Sequence, residues 1–305
     1  MNPGTELGEF LKARRALIQP AGDGGPRRRV PGMRREEVAA LAQVSTDYYT
    51  RLEQGRHKRP SETVLGALAE ALQLDELATR HLFDLARAVA APRRGGPVSQ
   101  IQHVRPSLFH LLASFTEHPA FVRGRRTEVL AMNPLAAFLL ADFPAKPVRE
   151  RSLISWTFLE EEARQRYVDW EKTASSMVGT LRLDAGRHPD DPLLAQLIGE
   201  LSVHSKEFRS WWADHRVVER RDGIKRLDHP LVGRLDIRYE ALAVTGEADQ
   251  TLFIYTTEPG SESESKLRTL AAWINDEAPD REQPGVSAGT PVPPPSTPNP
   301  DPSGR

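Results

Sequence analysis

Residues 34–55, RREEVAALAQVSTDYYTRLEQG, decide the fold of the N-terminal part of the chain. The spacing of their apolar residues predicts two short helices, over about 34–43 and 46–54. Ser45 is a favoured residue at a helix N-terminus, and Gly55 is a favoured residue just beyond a helix C-terminus. Two short helices that meet at a tight turn are typical of a helix-turn-helix motif.

The outer face of the second helix carries residues that are predicted to contact DNA. Val44, Tyr49 and Leu52 are expected to point into the helical core, so the opposite side of the helix faces solvent. In a helix-turn-helix this face enters the major groove, where its N-terminal residues reach the base edges. The predicted contacts on it are Thr46, Asp47, Tyr48, Thr50 and Arg51.

The charges in and around the motif are suited to nucleic acid. Residues 9–59 carry 12 Lys/Arg and 6 Asp/Glu, although the whole chain has a net charge of −1. Arg35 and Arg51 can each pair bidentately with guanine, and Asp47 can accept a hydrogen bond from a cytosine amino group. Contacts to phosphate, which fix the register of a protein on DNA, are predicted for Arg56, Lys58 and Arg59.

A loop rich in Gly and Pro, residues 20–33, precedes the motif and contains three consecutive arginines. Arg27, Arg28 and Arg29 are predicted to reach a phosphate or the minor groove beside the site. The alternative is a solvated basic loop with no specific partner.

The motif resembles the XRE family of regulators, which share their fold with the lambdoid phage repressors. The match is good over residues 35–55 and extends over about 7–75, which implies an all-α, five-helix, lambda-repressor-like domain. In this family Arg15 and Glu53 correspond to a buried structural ion pair, and Arg35 replaces a helix-start glutamine. The positions at which the family reads bases correspond to Thr46, Asp47 and Arg51.

The composition limits the kinds of protein that this chain can be. Its 305 residues, 39% hydrophobic and 27% charged, are enough for about two globular domains. It has no cysteine, which excludes disulfides, thiol catalysis and cysteine-ligated metals. The chain has no run of about 18 apolar residues, so we predict no membrane span. We also recognise no secretory signal at the N-terminus. We therefore expect a cytoplasmic protein that does not bind membranes.

The pattern of helices, strands and linkers predicts a multi-domain chain. We expect a helix-turn-helix domain over 1–91, a linker over 92–98, an α+β domain over 99–276 and a disordered, Pro-rich tail over 277–305. In the second domain, helices are predicted over about 107–116, 134–141, 159–182, 191–206 and 263–274. Strands are predicted over about 120–122, 128–132, 217–227, 235–244 and 251–255.

A narrower resemblance comes from residues 33–39, MRREEVA, and 44–56, VSTDYYTRLEQGR. With the long preceding loop, they resemble the MmyB-like regulators. The second domain of that family is PAS-like and binds a ligand, which is a fatty acid in one member. Residues 128–136, EVLAMNPLA, and 208–217, FRSWWADHRV, are similar to that domain. The resemblance implies a small-molecule or fatty-acid effector.

Several polar and aromatic residues of the second domain are candidates for ligand binding. Large rings beside a polar group often line an apolar pocket, although they also form ordinary core. Asn133 is alternatively a helix cap, and His215 is alternatively a structural histidine. The ligand-binding candidates are Asn133, Trp156, Trp170, Trp211 and His215. A basic run is a further candidate for an acidic ligand, or else a solvated strand edge: Arg123, Arg125 and Arg126.

These patterns together predict a sequence-specific transcription regulator controlled by a small ligand. The chain contains none of the common catalytic signatures, such as a phosphate-binding loop or a zinc-protease motif. We therefore expect no catalytic residues, no metal and no cofactor. Two alternatives remain open, namely a second domain that only dimerises or binds a protein partner, and a DNA-targeted enzyme. A homodimer on an inverted-repeat operator is expected, because one motif makes few base contacts.

Overall fold

A computed structural model describes residues 3–19, 32–56, 59–90, 102–219 and 221–277. Several sequence predictions lie outside these ranges: Arg27, Arg28, Arg29, Lys58, the linker 92–98 and the tail from 278 onward. Among the helices of the described residues, none is both long enough and apolar enough to cross a lipid bilayer.

Five helices form the N-terminal domain, as the sequence predicts. They are α1 (Pro3–Leu17), α2 (Arg35–Leu41), α3 (Thr46–Glu53), α4 (Glu62–Ala71) and α5 (Glu76–Ala90). The Ser45 side chain caps α3 by accepting a hydrogen bond from the backbone N–H of Tyr48 over 3.1 Å. Gly55 follows the helix with a φ of 65°, a conformation that glycine adopts without strain. The core joins residues of all five helices, including Phe10, Val38, Leu52, Leu68 and Leu82.

Helices α1 and α3 approach so closely that only glycine fits at one point of contact. A Cβ atom added to Gly8 would lie 2.3 Å from the carbonyl oxygen of Glu53 and 3.1 Å from that of Leu52. Both neighbours are backbone atoms, so they cannot move aside without displacing α3. The absence of a side chain at Gly8 therefore allows the close approach of α1 and α3.

We predict that Gly8→Ala destabilises the N-terminal domain by about 1–3 kcal/mol, the usual cost of overpacking a core. Gly66 provides a matched control, because it also lies within a helix but a Cβ there meets no atom within 4 Å. Urea unfolding of both variants, followed by hydrogen exchange in α1 and α3, measures the difference. Equal stability of the two variants would contradict the close-packing assignment.

The C-terminal domain is an antiparallel sheet with helices on both faces, which confirms the predicted α+β class. Its helices are α6 (Pro106–Ser114), α7 (Pro134–Leu139), α8 (Leu153–Leu159), α9 (Glu161–Arg166), α10 (Trp170–Arg187), α11 (Pro192–His204), α12 (Lys206–Ala213) and α13 (Glu262–Glu277). Its strands are β1 (Ala120–Arg123), β2 (Val129–Met132), β3 (Asp222–His229), β4 (Gly233–Ala243) and β5 (Thr251–Thr256). They pair in the order β2-β1-β5-β4-β3.

The two faces of the sheet contribute to different cores because successive side chains alternate. Phe121 and Phe253 belong to the larger core, which helices α7 to α13 complete on the inner face. Val122 and Leu252, their neighbours in sequence, belong to a smaller core that α6 covers on the outer face. The inner face, together with α10, also encloses a cavity.

The helix predicted over 159–182 is in fact interrupted. Helix α9 ends at Arg166 and α10 begins at Trp170, because the residues between them pair with the edge strand β3. Tyr167 forms a bridge to Leu227, and the backbone N–H of Val168 donates to the carbonyl of Arg226 over 3.0 Å. The sheet edge thus satisfies backbone groups that a continuous helix would have used.

Two further differences from the predicted elements concern boundaries. Strand β3 begins at Asp222 rather than at residue 217, because Val217 packs against the core of the N-terminal domain and the carbonyl of Val218 accepts a hydrogen bond from Thr180 of α10. The helix predicted over 191–206 corresponds to α11, which ends at His204. Helix α12, for which Ser205 is the N-cap, was not predicted from the sequence.

Candidate DNA-binding surface and ligand cavity

Helix α3 presents its predicted DNA contacts to solvent. Thr46, Asp47 and Arg51 are exposed, whereas Tyr48 and Thr50 are half-buried at the edge of this face. Arg51 Nη2 lies 2.7 Å from Asp47 Oδ2, and the two side chains remain 61% and 71% exposed. An exposed ion pair of this kind contributes about 0–1 kcal/mol. DNA can therefore replace the pair at small cost.

Glu53, at the end of α3, binds two arginines from different helices. Arg15 of α1 donates from Nε to Glu53 Oε1 over 2.6 Å and from Nη1 to the carbonyl of Met33 over 2.7 Å. Arg35 of α2 donates from Nε to Glu53 Oε2 over 2.6 Å. Burial raises the pKa of Glu53, but these hydrogen bonds outweigh burial and hold the pKa below its ordinary value. The structure thus contains the predicted ion pair between Arg15 and Glu53, and it adds Arg35 as a second partner of Glu53.

The position of Arg35 adds a structural role to the base contact that the sequence predicts for it. Its side chain is 46% exposed, but Nε is hydrogen-bonded to Glu53, whose side chain is 1% exposed. Moving Arg35 away would remove one of the two hydrogen-bonded cations from a buried carboxylate, which is costly. Arg35 therefore supports the buried carboxylate through Nε, while its contact to a base through the Nη atoms stays a prediction.

The described phosphate candidates lie beyond the C-terminal end of α3. Arg56 and Arg59 are both exposed, and Arg59 Nη2 lies 3.5 Å from the carbonyl of Ala90 at the end of α5. Exposed cations on flexible stems can follow a phosphate backbone without reading sequence. Their position beside α3 is compatible with that role.

A cavity of about 430 Å³ lies between α10 and the inner face of the sheet. Apolar side chains form part of its wall, including Phe121, Leu153, Met177, Leu183 and Phe253. Four cationic and two acidic side chains also line it: Arg123, Arg187, Arg221, Lys225, Asp184 and Glu219. The combination of an apolar wall with excess positive charge is suited to an anion that carries a hydrocarbon segment.

Lys225 is buried at the sheet side of this cavity. It is 8% exposed, and its Nζ donates to Tyr255 Oη over 3.1 Å. The same Nζ lies 5.3–5.5 Å from the ring centroids of Tyr167, Tyr239 and Tyr255. The tyrosine rings stabilise the cation by cation–π attraction. Sequence reasoning missed Lys225, although its alternation with Leu227 and His229 on β3 indicates the buried face.

Arg123 and Asp184 face the cavity from β1 and α10. Burial lowers the pKa of Arg123, and burial raises the pKa of Asp184 despite the nearby charge of Arg123. The Arg123 guanidinium also lies 4.9 Å from the ring centroid of Phe253. Of the basic run in the sequence, Arg123 is thus the member that faces the cavity.

The other two arginines of that run have carboxylate partners. Arg125 pairs with Asp249, and Arg126 Nη1 donates to Asp191 over 2.7 Å while it also binds Glu128. The sequence hypothesis that these two receive an acidic ligand is therefore corrected. Their charges hold the β1–β2 turn against the β4–β5 connection and against the N-terminus of α11.

The five ligand candidates taken from the sequence do not line this cavity, which corrects that prediction. Asn133 caps α7 and ties β1 to the preceding loop. Trp156 packs edge-on against Phe143 and Tyr167 in the core, and Trp170 and Trp211 pack against each other and Phe158. His215 contacts Arg182 at the boundary between the domains. Large rings clustered in sequence here build core rather than a binding wall.

Comparison with known families identifies both domains of the chain. A family model described as a helix-turn-helix domain matches residues 6–82, and one described as the MmyB-like transcription regulator ligand binding domain matches residues 104–270. The two domains together define a DNA-binding transcription regulator with a ligand-binding domain. Because the second match covers just over half of the chain, the chain belongs to the MmyB-like transcription regulator family. No curated protein matches the sequence significantly.

Within the described residues, no group of three His, Asp or Glu side chains is arranged to hold a metal ion.

Proposed function

We propose that the chain is a homodimeric, sequence-specific regulator whose DNA binding is controlled by an amphipathic anion in the cavity. A fatty-acid-like carboxylate fits this description. In this proposal the protein acts in the cytoplasm on an inverted-repeat operator, without a cofactor and without catalysis. The observation that carries this proposal is the cavity itself, in which the buried Lys225 and the half-buried Arg123 lie beside an apolar wall.

The fit between cavity and ligand follows from size and charge. Ligand pockets of about 300–1,000 Å³ hold small organic molecules, and this cavity lies within that range at about 430 Å³. A carboxylate can accept charge-assisted hydrogen bonds from Lys225 and Arg123, which are the stronger class of hydrogen bond. An alkyl chain can then pack on Met177, Leu153 and Phe253.

The DNA half of the proposal is tested by selecting binding sites from a random duplex library with the full chain. The proposal predicts enriched inverted repeats with half-sites about one or more helical turns apart. Enrichment of single half-sites would contradict the dimer, and no enrichment at low salt would contradict sequence-specific binding.

We predict that Arg51→Ala weakens binding to the selected site by about 1–3 kcal/mol and relaxes preference at one base position. Arg59→Ala is the matched control, because a phosphate contact should weaken binding evenly across sequences and lower the salt slope by about one. Fluorescence anisotropy at several salt concentrations measures both effects. If the two variants behaved alike, the assignment of α3 as the reading helix would be wrong.

We predict that Lys225→Met lowers the affinity for dodecanoate about 10- to 100-fold, because a charged hydrogen bond contributes about 1.5–3 kcal/mol. Dodecanol, which has the same chain and no charge, should bind both proteins about equally. Lys206→Met, at an exposed position on α12, is the control variant. Calorimetric titration measures the affinities, and an unchanged dodecanoate affinity in Lys225→Met would contradict the ligand site.

A further inference from the structure

Helix α10 separates the ligand cavity from the DNA-binding domain and contacts both. Asp184 and Arg187 line the cavity. Arg182 and Gly186, on another side of the same helix, contact α1 and α5. A Cβ atom on Gly186 would lie 2.7 Å from Cε1 of His81, so glycine allows α10 and α5 to pack closely. Helix α10 therefore forms one wall of the cavity and also one side of the interface with the DNA-binding domain.

A buried arginine of α10 stabilises the interface with the DNA-binding domain. Arg182 is 2% exposed, with its guanidinium 4.0 Å from the ring centroid of Trp212 and Nη1 3.0 Å from His215 Nδ1. The same Nη1 lies 3.6 Å from Glu6 Oε2 of the DNA-binding domain. Burial, and after it the charge of Arg182, lowers the pKa of His215 to about 3, so its ring is neutral and can accept the hydrogen bond. A buried charge needs its partners, so this contact fixes α1 against α10.

A second set of contacts across the boundary is weaker and touches the cavity directly. We call it the interdomain charge cluster, and it consists of Arg80 and Asp84 of α5 with Arg187 and Glu219 of the cavity wall. Arg187 lies 3.9 Å from Asp84 and 3.9 Å from Glu219, and Arg80 lies 3.6 Å from Glu219. The four side chains are 16–39% exposed. Long, partly solvated ion pairs contribute little each, so their partners exchange easily.

We propose that an anion bound in the cavity draws Arg187 away from Asp84. The loss of this contact makes the DNA affinity of the N-terminal domain depend on whether the cavity is occupied. The bound anion competes with Asp84 and Glu219 for the same guanidinium. Loss of the Arg187–Asp84 contact changes how α5 is held, while the Arg182–Glu6 contact keeps the domains joined. The ligand then has different affinities for the two arrangements, as any regulatory ligand must. This inference rests on the proposed anionic ligand.

The test measures the coupling between ligand and DNA in the full-length chain. The DNA is the selected operator fragment and the ligand probe is dodecanoate. In the wild type, saturating dodecanoate should change the Kd for the operator by about 5-fold or more, the lower range of allosteric coupling. Asp84→Asn should still bind dodecanoate, with an affinity equal to or higher than that of the wild type, because Arg187 no longer has to leave Asp84. The coupling in this variant should fall below about 2-fold. Glu70→Gln, an exposed change on α4, should retain the wild-type coupling.

The outcomes separate this inference from the proposed function. Normal dodecanoate binding with full coupling in Asp84→Asn would overturn the inference and leave the ligand site intact. Dodecanoate binding to the wild type without any change in operator affinity would likewise overturn it. Failure of the wild type to bind dodecanoate would overturn the proposed ligand class and the inference together. Loss of coupling in Asp84→Asn, with dodecanoate bound at least as tightly as by the wild type and operator binding retained, supports the inference.

Discussion

Replacing Glu53 by glutamine should destabilise the DNA-binding domain by about 3–5 kcal/mol, the usual cost of removing one partner from a buried ion pair. The glutamine keeps the shape of the side chain but loses the charge that holds Arg15 and Arg35. Arg15, whose side chain is 11% exposed, would then remain as a buried cation without a carboxylate. A loss of this size is a large fraction of the total stability of a domain, which is about 5–15 kcal/mol.

The measurement must report on the N-terminal domain alone. All five tryptophans of the chain lie after residue 150, so tryptophan fluorescence follows only the C-terminal domain. Hydrogen exchange of the amides in α1–α5 reports the free energy of opening of the other domain. Glu70→Gln is the matched control, because Glu70 is exposed on α4. Similar exchange in both variants would show that Glu53 does not hold the helices together.

The effect of Glu53 should also depend on pH. Its folded-state pKa lies below the ordinary value of 4.5, so its contribution is fully present above the unfolded pKa. The contribution is lost as the pH falls through the folded pKa. The stability difference between wild type and Glu53→Gln should therefore be constant near neutral pH and shrink below about pH 4.5. A difference that grew on acidification would contradict the ion-pair assignment.

Replacing Asp191 by alanine should destabilise the C-terminal domain by about 3 kcal/mol, from a lost helix cap and a lost buried ion pair. Asp191 Oδ1 accepts the backbone N–H groups of Leu193 and Leu194 over 3.0 and 3.2 Å. Its Oδ2 accepts from Arg126 Nη1 over 2.7 Å. Arg126 also binds Glu128, which limits the loss.

Asparagine at the same position separates the two contributions. Asp191→Asn keeps an oxygen that can cap α11, so it should lose only the charge and cost about 1 kcal/mol less than alanine. Urea unfolding followed by tryptophan fluorescence measures both variants. If the alanine variant were as stable as the wild type, neither the cap nor the ion pair would matter to the domain.

The helix-turn-helix could be predicted from the sequence because its determinants are local. The expected helix over 46–54 corresponds to Thr46–Glu53, and the expected cap, Ser45, accepts the predicted kind of hydrogen bond. The Arg15–Glu53 contact joins distant residues, but the family resemblance implied it. The role of Arg35 was missed because a basic residue near a DNA-binding motif has the same sequence signature whether it faces outward or supports a neighbour.

The ligand cavity could not be predicted in the same way because no single segment builds it. Its wall combines β1, α10 and the strands β3–β5, which only the folded sheet brings together. Trp156, Trp170 and Trp211 are conspicuous in the sequence, but their size makes them good core residues and they pack against other rings. Lys225 is inconspicuous, because a lysine in an alternating strand resembles the solvent-facing lysines of other strands.

The exposed face of α3 has a consequence for how new DNA specificities can arise. Thr46, Asp47 and Arg51 are exposed, whereas Tyr49 and Leu52 of the same helix are buried in the core. The outer positions can therefore accumulate mutations one at a time without loss of folding. Duplicated copies of such a gene could diverge toward different promoters while they retained the same fold and the same response to ligand.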